Sequence, residues 1–317
     1  MTAWGPIQLK WEVTRKCNLH CIHCVVAADS NQKQEVPPDR IQDCIDRISE
    51  LRPLRVLISG GEPLLYQGLF EVVQGLTDNG IEVNLETNGI TVNRSIAIRL
   101  RRKGCKHVRV SLHGRSSLTH DALVARNGAW KHAIKTVKLL VNEGIDTSIS
   151  FALARFNIGE FPKVLKLAES LGVNSVFVNN LVPIGRAYQN WDHLSPTMSQ
   201  LARFRRFIGN EHCRYLRSKR RLVLDFDVIK SLRSFVGCCV CACVISPAGE
   251  VRIADVFPIV VGNLLKEEPM AIWKRINQTW ADPFIAEFIR KELRNILDLH
   301  KIKDLQDHYK VAQYALV

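Results

Sequence analysis

Hydrophobic and polar positions follow two alternating periods along the first two-thirds of the chain. Short runs rich in Val, Ile, Leu or Phe occupy residues 7–13, 55–59, 82–86, 107–112, 147–153 and 175–181. Each has the length of a buried parallel strand. Between them, amphipathic stretches at 38–51, 68–79, 93–103, 128–143 and 158–171 predict helices. Several stop at a glycine in C-cap position: Gly80, Gly104, Gly144 and Gly172. Repeated βα units of about 30 residues predict a parallel sheet with right-handed crossovers. Six such units fit an α/β fold built as a partial, open barrel. In barrels of this kind the chemistry collects at the C-terminal ends of the strands.

The polar, glycine-rich segments all fall on that one rim. The first strand is followed by Lys16-Cys17-Asn18-Leu19-His20-Cys21-Ile22-His23-Cys24, and the second by Gly60-Gly61-Glu62-Pro63. Thr87-Asn88-Gly89 follows the third, His113-Gly114 the fourth, and Pro183-Ile184-Gly185-Arg186 the sixth. From about residue 190 the alternation stops. Residues 195–210 read as a helix and 221–226 as a short strand. A cysteine-rich stretch at 237–243 leads into a β-hairpin, 244–246 and 251–253, around Pro247-Ala248-Gly249-Glu250. Helices are expected around 270–276, 283–299 and 304–314. The pattern divides the chain into a core domain at 1–190, a helical connector at 191–235 and a small α+β domain at 236–317.

Composition narrows the class. A chain of 317 residues that is 46% hydrophobic can bury a sizeable core. No apolar run reaches the roughly 18 residues of a membrane-spanning helix, and Met1-Thr2-Ala3-Trp4-Gly5-Pro6 lacks the features of a signal peptide. A soluble cytoplasmic protein is expected. The ten cysteines, clustered at 17–24 and 238–243, fit a reducing compartment and metal ligation better than disulfides. The net charge of +13 reads as a solvated basic face. No zinc-finger or RNA-recognition signature accompanies it, so a nucleic-acid partner is not expected.

Three thiolates on one short loop suit three corners of a metal or iron–sulfur cluster. A fourth would close such a cluster; three leave one iron open to a substrate or cofactor. Taken by itself, CxxxCxxC also fits part of a zinc site, although zinc sites usually close with four ligands. A non-catalytic iron–sulfur or zinc-binding protein is thus a reading from another class.

Cys17, Cys21 and Cys24 after one strand, with Gly60-Gly61-Glu62-Pro63 after the next, resemble the radical S-adenosylmethionine (SAM) superfamily. The resemblance implies a partial (β/α)6 barrel whose three cysteines hold a 4Fe-4S cluster, with SAM chelating the fourth iron. It implies an enzyme of oxidoreductase or lyase type. One electron from the cluster cleaves SAM to a 5′-deoxyadenosyl radical, which abstracts hydrogen from a substrate. A flavodoxin or ferredoxin would supply the electron. By the same resemblance, Gly60, Gly61 and Glu62 accept from the SAM ammonium, Pro63 completes that cofactor-binding segment, and Thr87, Asn88 and Ser111 line the methionine and ribose. Arg126 pairs with its carboxylate, and Ile184 packs on adenine. One departure is His23, at a position before the third cysteine that is usually aromatic in the family.

Residues 237–264 resemble the SPASM or shorter twitch domains, which hold auxiliary iron–sulfur clusters. That implies an auxiliary cluster on Cys238, Cys239, Cys241 and Cys243, with Cys213 or Asp255 as a further ligand. The cysteine expected around 252–255 is missing, and none follows Cys243, so a full two-cluster domain is not expected. The tail points to post-translational modification of a peptide or protein, such as thioether crosslinking, epimerisation or oxidation. The same layout suits a step in cofactor biosynthesis on a tetrapyrrole or metal-cofactor precursor. The basic excess serves either substrate.

Overall fold

The structure is a computed structural model that describes residues 5–217, 221–225, 228–237 and 242–312. Strands β1 (Gln8–Thr14), β2 (Arg55–Gly60), β3 (Glu82–Thr87), β4 (Cys105–Ser111), β5 (Asp146–Leu153), β6 (Ser175–Asn180) and β7 (Arg221–Asp225) pair in that order, each parallel to the next. The first six lie within two residues of the expected runs. Helices α1 (Ile41–Glu50), α2 (Leu69–Asp78), α3 (Arg94–Arg102), α4 (Ser117–Val124), α5 (Ala129–Asn142) and α6 (Phe161–Ser170) connect them. Short helices α7 (Arg186–Gln189) and α8 (Trp191–Leu194), then the long α9 (Met198–Arg217), lead to β7.

Regular spacing explains why the helices lie where they do. Buried positions in α1 are Ile41, Cys44, Ile45 and Ile48; in α2, Leu69, Val72, Val73 and Leu76; in α6, Phe161, Val164, Leu165 and Ala168. All three repeat the steps of three and four that put side chains on one face. The expected helices at 38–51 and 158–171 each begin with a separate 3-10 turn, Pro38–Arg40 and Ile158–Glu160. Helix α4 has no counterpart among the sequence-based expectations. Its buried face is Thr119, His120, Leu123 and Val124, half of it polar.

The tail continues the same sheet. Strand β8 (Ala242–Ile245) pairs parallel with the free edge of β1. Strands β9 (Glu250–Arg252), β10 (Ile259–Asn263) and β11 (Lys310–Val311) follow, each antiparallel to the one before. The expected hairpin is β8–β9, with the Gly249 amide donating to the Ser246 carbonyl at 2.9 Å. Helices α10 (Val228–Phe235), α11 (Pro269–Ala281) and α12 (Pro283–Lys291) pack around this extension. The expected helix at 304–314 does not form. A capping box of Asn295 and Asp298 opens a 3-10 segment, Ile296–Leu305, and Lys310 and Val311 then pair with β10. Residues 313 and 314 lie outside the described residues. No helix among the described residues is long and apolar enough to cross a membrane.

The two sheet faces differ. Leu9, Trp11 and Val13 of β1 are buried in the main core, as are α1 and α2. Alternate strand positions point the other way, and there they are polar. Lys10 Nζ meets Asp255 at 3.0 Å, and Glu12 meets Arg252 at 2.7 Å and Arg15 at 2.9 Å. Ser59 and Arg109 both donate to Glu86, at 3.0 and 2.7 Å. The Arg109 guanidinium lies 3.6 Å over the Phe177 ring centroid. This face therefore forms a layer of paired charges, where a helix-covered face would be apolar.

Candidate functional site

The cysteine loop leaves β1 at Thr14 and is pinned at its base. Arg15 N donates to Gln34 O at 2.7 Å, Cys17 N to Asp29 O at 2.9 Å, and Val36 N to Val13 O at 3.0 Å. Cys17 is buried; Cys21 and Cys24 are half-buried. The three side chains share an apolar nest with Leu19, Ala28, Val124 and Ala129.

The Gly60-Gly61-Glu62 segment docks directly on this loop. Gly61 N donates to Thr14 O at 2.7 Å, and Glu62 N to Lys16 O at 2.9 Å. A Cβ on Gly60 would stand 2.3 Å from Thr14 O, and one on Gly61 2.2 Å from Lys16 O. The glycines therefore admit the backbone of the cysteine loop itself. Glu62 is fully buried. Its oxygens accept from Leu64 N at 3.2 Å, Thr87 Oγ1 at 2.8 Å and Asn88 N at 2.7 Å. Its partners here are the chain's own donors, and through them it sets the next rim segment. Burial pushes its carboxyl up to about 7, against the pull of those three donors. Asn88 in turn donates to Asn18 Oδ1 at 2.7 Å and lies 3.8 Å from the Cys17 sulfur.

Two arginines from other rim segments also reach this loop. Arg126 is exposed and donates to Asn18 O at 2.8 Å. The turn that carries it is held by Asp121, which accepts from Gly128 N and Trp130 N at 2.7 and 2.8 Å. Pro63 is buried at the start of a 3-10 turn that Glu62 caps. Ser111 ends β4 in register with Ser150 of β5, and Ile184 is buried after β6. Arg186, which follows it, reaches the loop with donors to Cys21 O and Ala28 O at 2.9 and 2.6 Å. The His23 ring meets His113 edge-on at 5.0 Å, and His113 stacks on His120 at 5.6 Å. Burial lowers all three imidazoles, His23 and His120 to about 4, so the trio is neutral near pH 7.

The thiols are poorly placed as free thiolates. Burial pushes Cys17 up to about 12, with Glu62 and Cys24 adding to the effect. Burial also lifts Cys21 well above the usual thiol range; Cys24 and Cys17 add to this and Arg186 opposes it. A bound cation reverses that balance, because a coordinating thiol is deprotonated outright. Among the described residues, no three His, Cys, Asp or Glu side chains stand close enough to share one metal ion.

The second cysteine group is different. Cys238, Cys239 and Cys241 lie outside the described residues, as does the side chain of Cys213. Cys243 pairs in register with Leu9 and is buried in the main core, where its thiol is pushed up to about 12 by burial. The register turns it into the apolar layer. Asp255, the other candidate ligand, is held by Lys10.

The convergence of strand ends on three thiols has a counterpart among known proteins. Residues 11–168 match the family described as the Radical SAM superfamily. These residues belong to the radical SAM superfamily. Its members work with a 4Fe-4S cluster and SAM. The chain is 32% identical over 197 residues to the mycofactocin maturase MftC of Mycobacterium ulcerans, a match covering 62% of this chain and 53% of that protein. It is also 32% identical over 193 residues to the AdoMet-dependent heme synthase of Methanosarcina barkeri, covering 61% and 55%. The chain thus spans about half the length of the curated relatives it matches. The fold resembles Streptococcus suis SuiB bound to S-adenosylmethionine, with TM-score 0.71 at 14% identity, over 100% of this chain and 78% of that one.

Sequence reasoning found the cysteines and the rim segments around them. It missed the polar sheet face, although Lys10 and Glu12, Asn84 and Glu86, and His107 and Arg109 repeat with period two. It also missed the link from Arg186 to the loop, which joins residues 158 and 165 positions apart.

Proposed function

We propose that this chain is a radical SAM enzyme that modifies a peptide or protein. One observation carries the reading: the segments after β2, β3 and β6, with the turn of Arg126, all bond to the loop that bears Cys17, Cys21 and Cys24. The three cysteines would hold the cluster. Gly60, Gly61, Glu62, Pro63, Thr87, Asn88, Ser111, Arg126 and Ile184 would hold SAM, with Glu62 acting through Thr87 and Asn88. When bound, these groups supply reductive cleavage of SAM to a 5′-deoxyadenosyl radical, which abstracts hydrogen from the substrate. The electron comes from a flavodoxin or ferredoxin in the cytoplasm. Residues 1–190, 191–235 and 236–317 act as core, connector and tail of a shared sheet.

The likeness to a maturase supports a peptide substrate, and so does the polar sheet face. Lys10 is paired with Asp255 and Arg109 with Glu86, all four partly exposed. Paired charges offer hydrogen bonds to an amide backbone, whereas a tetrapyrrole with several carboxylates calls for unpaired cations. The likeness to a heme synthase favours a second reading, a tetrapyrrole substrate.

Anaerobic reconstitution with iron and sulfide, then reduction in the presence of SAM, tests the enzyme reading. It should yield about four irons per chain for one cluster, and about eight only if the tail binds another. 5′-Deoxyadenosine should accumulate, and Cys21→Ala should abolish it. A loaded cluster with no 5′-deoxyadenosine above background would count against the enzyme. A mass change in a short peptide encoded beside this chain, with none in a tetrapyrrole, supports the first substrate reading; the reverse supports the second.

A further inference from the structure

Arg186 stands where the loop after β6 meets the cysteine loop. Gly185 makes the approach possible: its φ is +58°, and a Cβ there would lie 2.4 Å from Val25 O. Arg186 then bonds the loop from three donors. Its amide donates to Cys24 O at 3.0 Å, its Nε to Cys21 O at 2.9 Å, and its Nη2 to Ala28 O at 2.6 Å. Asn190 adds a fourth bond, Nδ2 to Ile22 O at 3.2 Å. Four donors from five residues thus take carbonyls along the stretch that carries two of the three cysteines.

Charge adds a second observation. Arg186 is buried and carries a cationic guanidinium. Its side-chain partners are carbonyl oxygens, and among the described residues no carboxylate forms an ion pair with it. Elsewhere in this chain a buried arginine faces a carboxylate, as Arg252 faces Glu12. Buried charges in proteins are paired, because removing a charge from water without a counter-charge is costly. Of the three thiols on the loop it clamps, Cys21 is the one on which its charge acts.

We propose that Arg186 is a positioning residue that fixes the cysteine loop through its carbonyls and provides the buried counter-charge for a cluster held by Cys17, Cys21 and Cys24. This rests on the radical SAM reading above. A cation beside the cluster stabilises the more negative, reduced state, so its removal makes the midpoint potential more negative.

The test compares wild type, Arg186→Gln, Arg186→Lys and Asn190→Ala, each reconstituted anaerobically with iron and sulfide. Iron retention during desalting and the midpoint potential, followed by electron paramagnetic resonance, are the readouts. Arg186→Gln should retain iron about 10–100-fold less well and show a midpoint displaced to more negative potential. Arg186→Lys keeps the charge and should return the midpoint to the wild-type value while retaining iron poorly. Asn190→Ala should leave the midpoint in place. A loaded Arg186→Gln cluster with the wild-type midpoint overturns the proposal and leaves the radical SAM reading intact. Wild-type protein that takes up no cluster overturns that reading and this one with it. Should Arg186→Gln not fold, Arg186→Lys decides: a wild-type midpoint supports the counter-charge, and a negative displacement overturns it.

Discussion

Glu62 is a buried carboxylate with three donors aimed at it, and its environment sets what a substitution does. Glu62→Gln turns one oxygen into a donor facing Asn88 N or Leu64 N, which already donate there. The loss is expected at about 1–3 kcal/mol of unfolding free energy, seen as a lower denaturant midpoint. Asn88 should also lose its fixed contact with Asn18. The pH dependence has a definite sign. The Glu62 carboxyl sits at about 7 against 4.5 when unfolded, so its contribution is full below 4.5 and is lost as pH rises through about 7. His120 works oppositely. Its ring is lowered from 6.5 to about 4, so its contribution is full above 6.5 and is lost as pH falls through about 4. Thermal melts across that window should tilt one way in Glu62→Gln and the other way in His120→Asn. Parallel profiles for the two variants would contradict both assignments.

Strands and helices follow patterns that short windows of sequence already carry. Ile45 sits at the centre of the α1 stripe and is fully buried. Ile45→Ala should cost about 2–5 kcal/mol, through lost transfer energy and a residual cavity. Glu12 is the corresponding residue on the opposite sheet face. Against the cost of burial, Arg252 and Arg15 hold its carboxyl below the usual carboxylate range. Glu12→Ala leaves these buried cations without that partner and should cost about 3–5 kcal/mol in chemical unfolding. A loss near zero would mean that the pair is not sequestered from water. The strands and most helices were legible because their apolar spacing is regular. Helix α4 was not, because its buried face includes Thr119 and His120, and no count of apolar residues marks it. The end of the tail failed for a related reason. A capping box and two strand residues are local chemistry inside a stretch that looks helical on average.

On the scale of the whole molecule, the tail closes the edge of β1. Strand β8 pairs with Gln8, Leu9, Lys10 and Trp11. A chain ending at Gly237 would leave that backbone row unpaired, a template for association. Such a truncation should run as aggregates in size-exclusion chromatography, and a monodisperse monomer would argue that another segment covers the edge. The cysteine loop and the order of the rim segments were readable from the sequence, since strand-ending positions and a CxxxCxxC spacing are matters of order along the chain. Alternating βα units likewise dictate a parallel sheet whatever the details. Contacts between distant residues are another matter. Packing in three dimensions decided that Gly60 and Gly61 yield to the cysteine loop, that Glu62 turns inward to Thr87 and Asn88, and that Cys243 faces the core. The same holds for Arg186, whose partners lie 158 and 165 positions away. Hydrophobic spacing is a local property that sets where each element forms. The partner of a buried polar group depends on which elements meet, and that is known only once the sheet has closed.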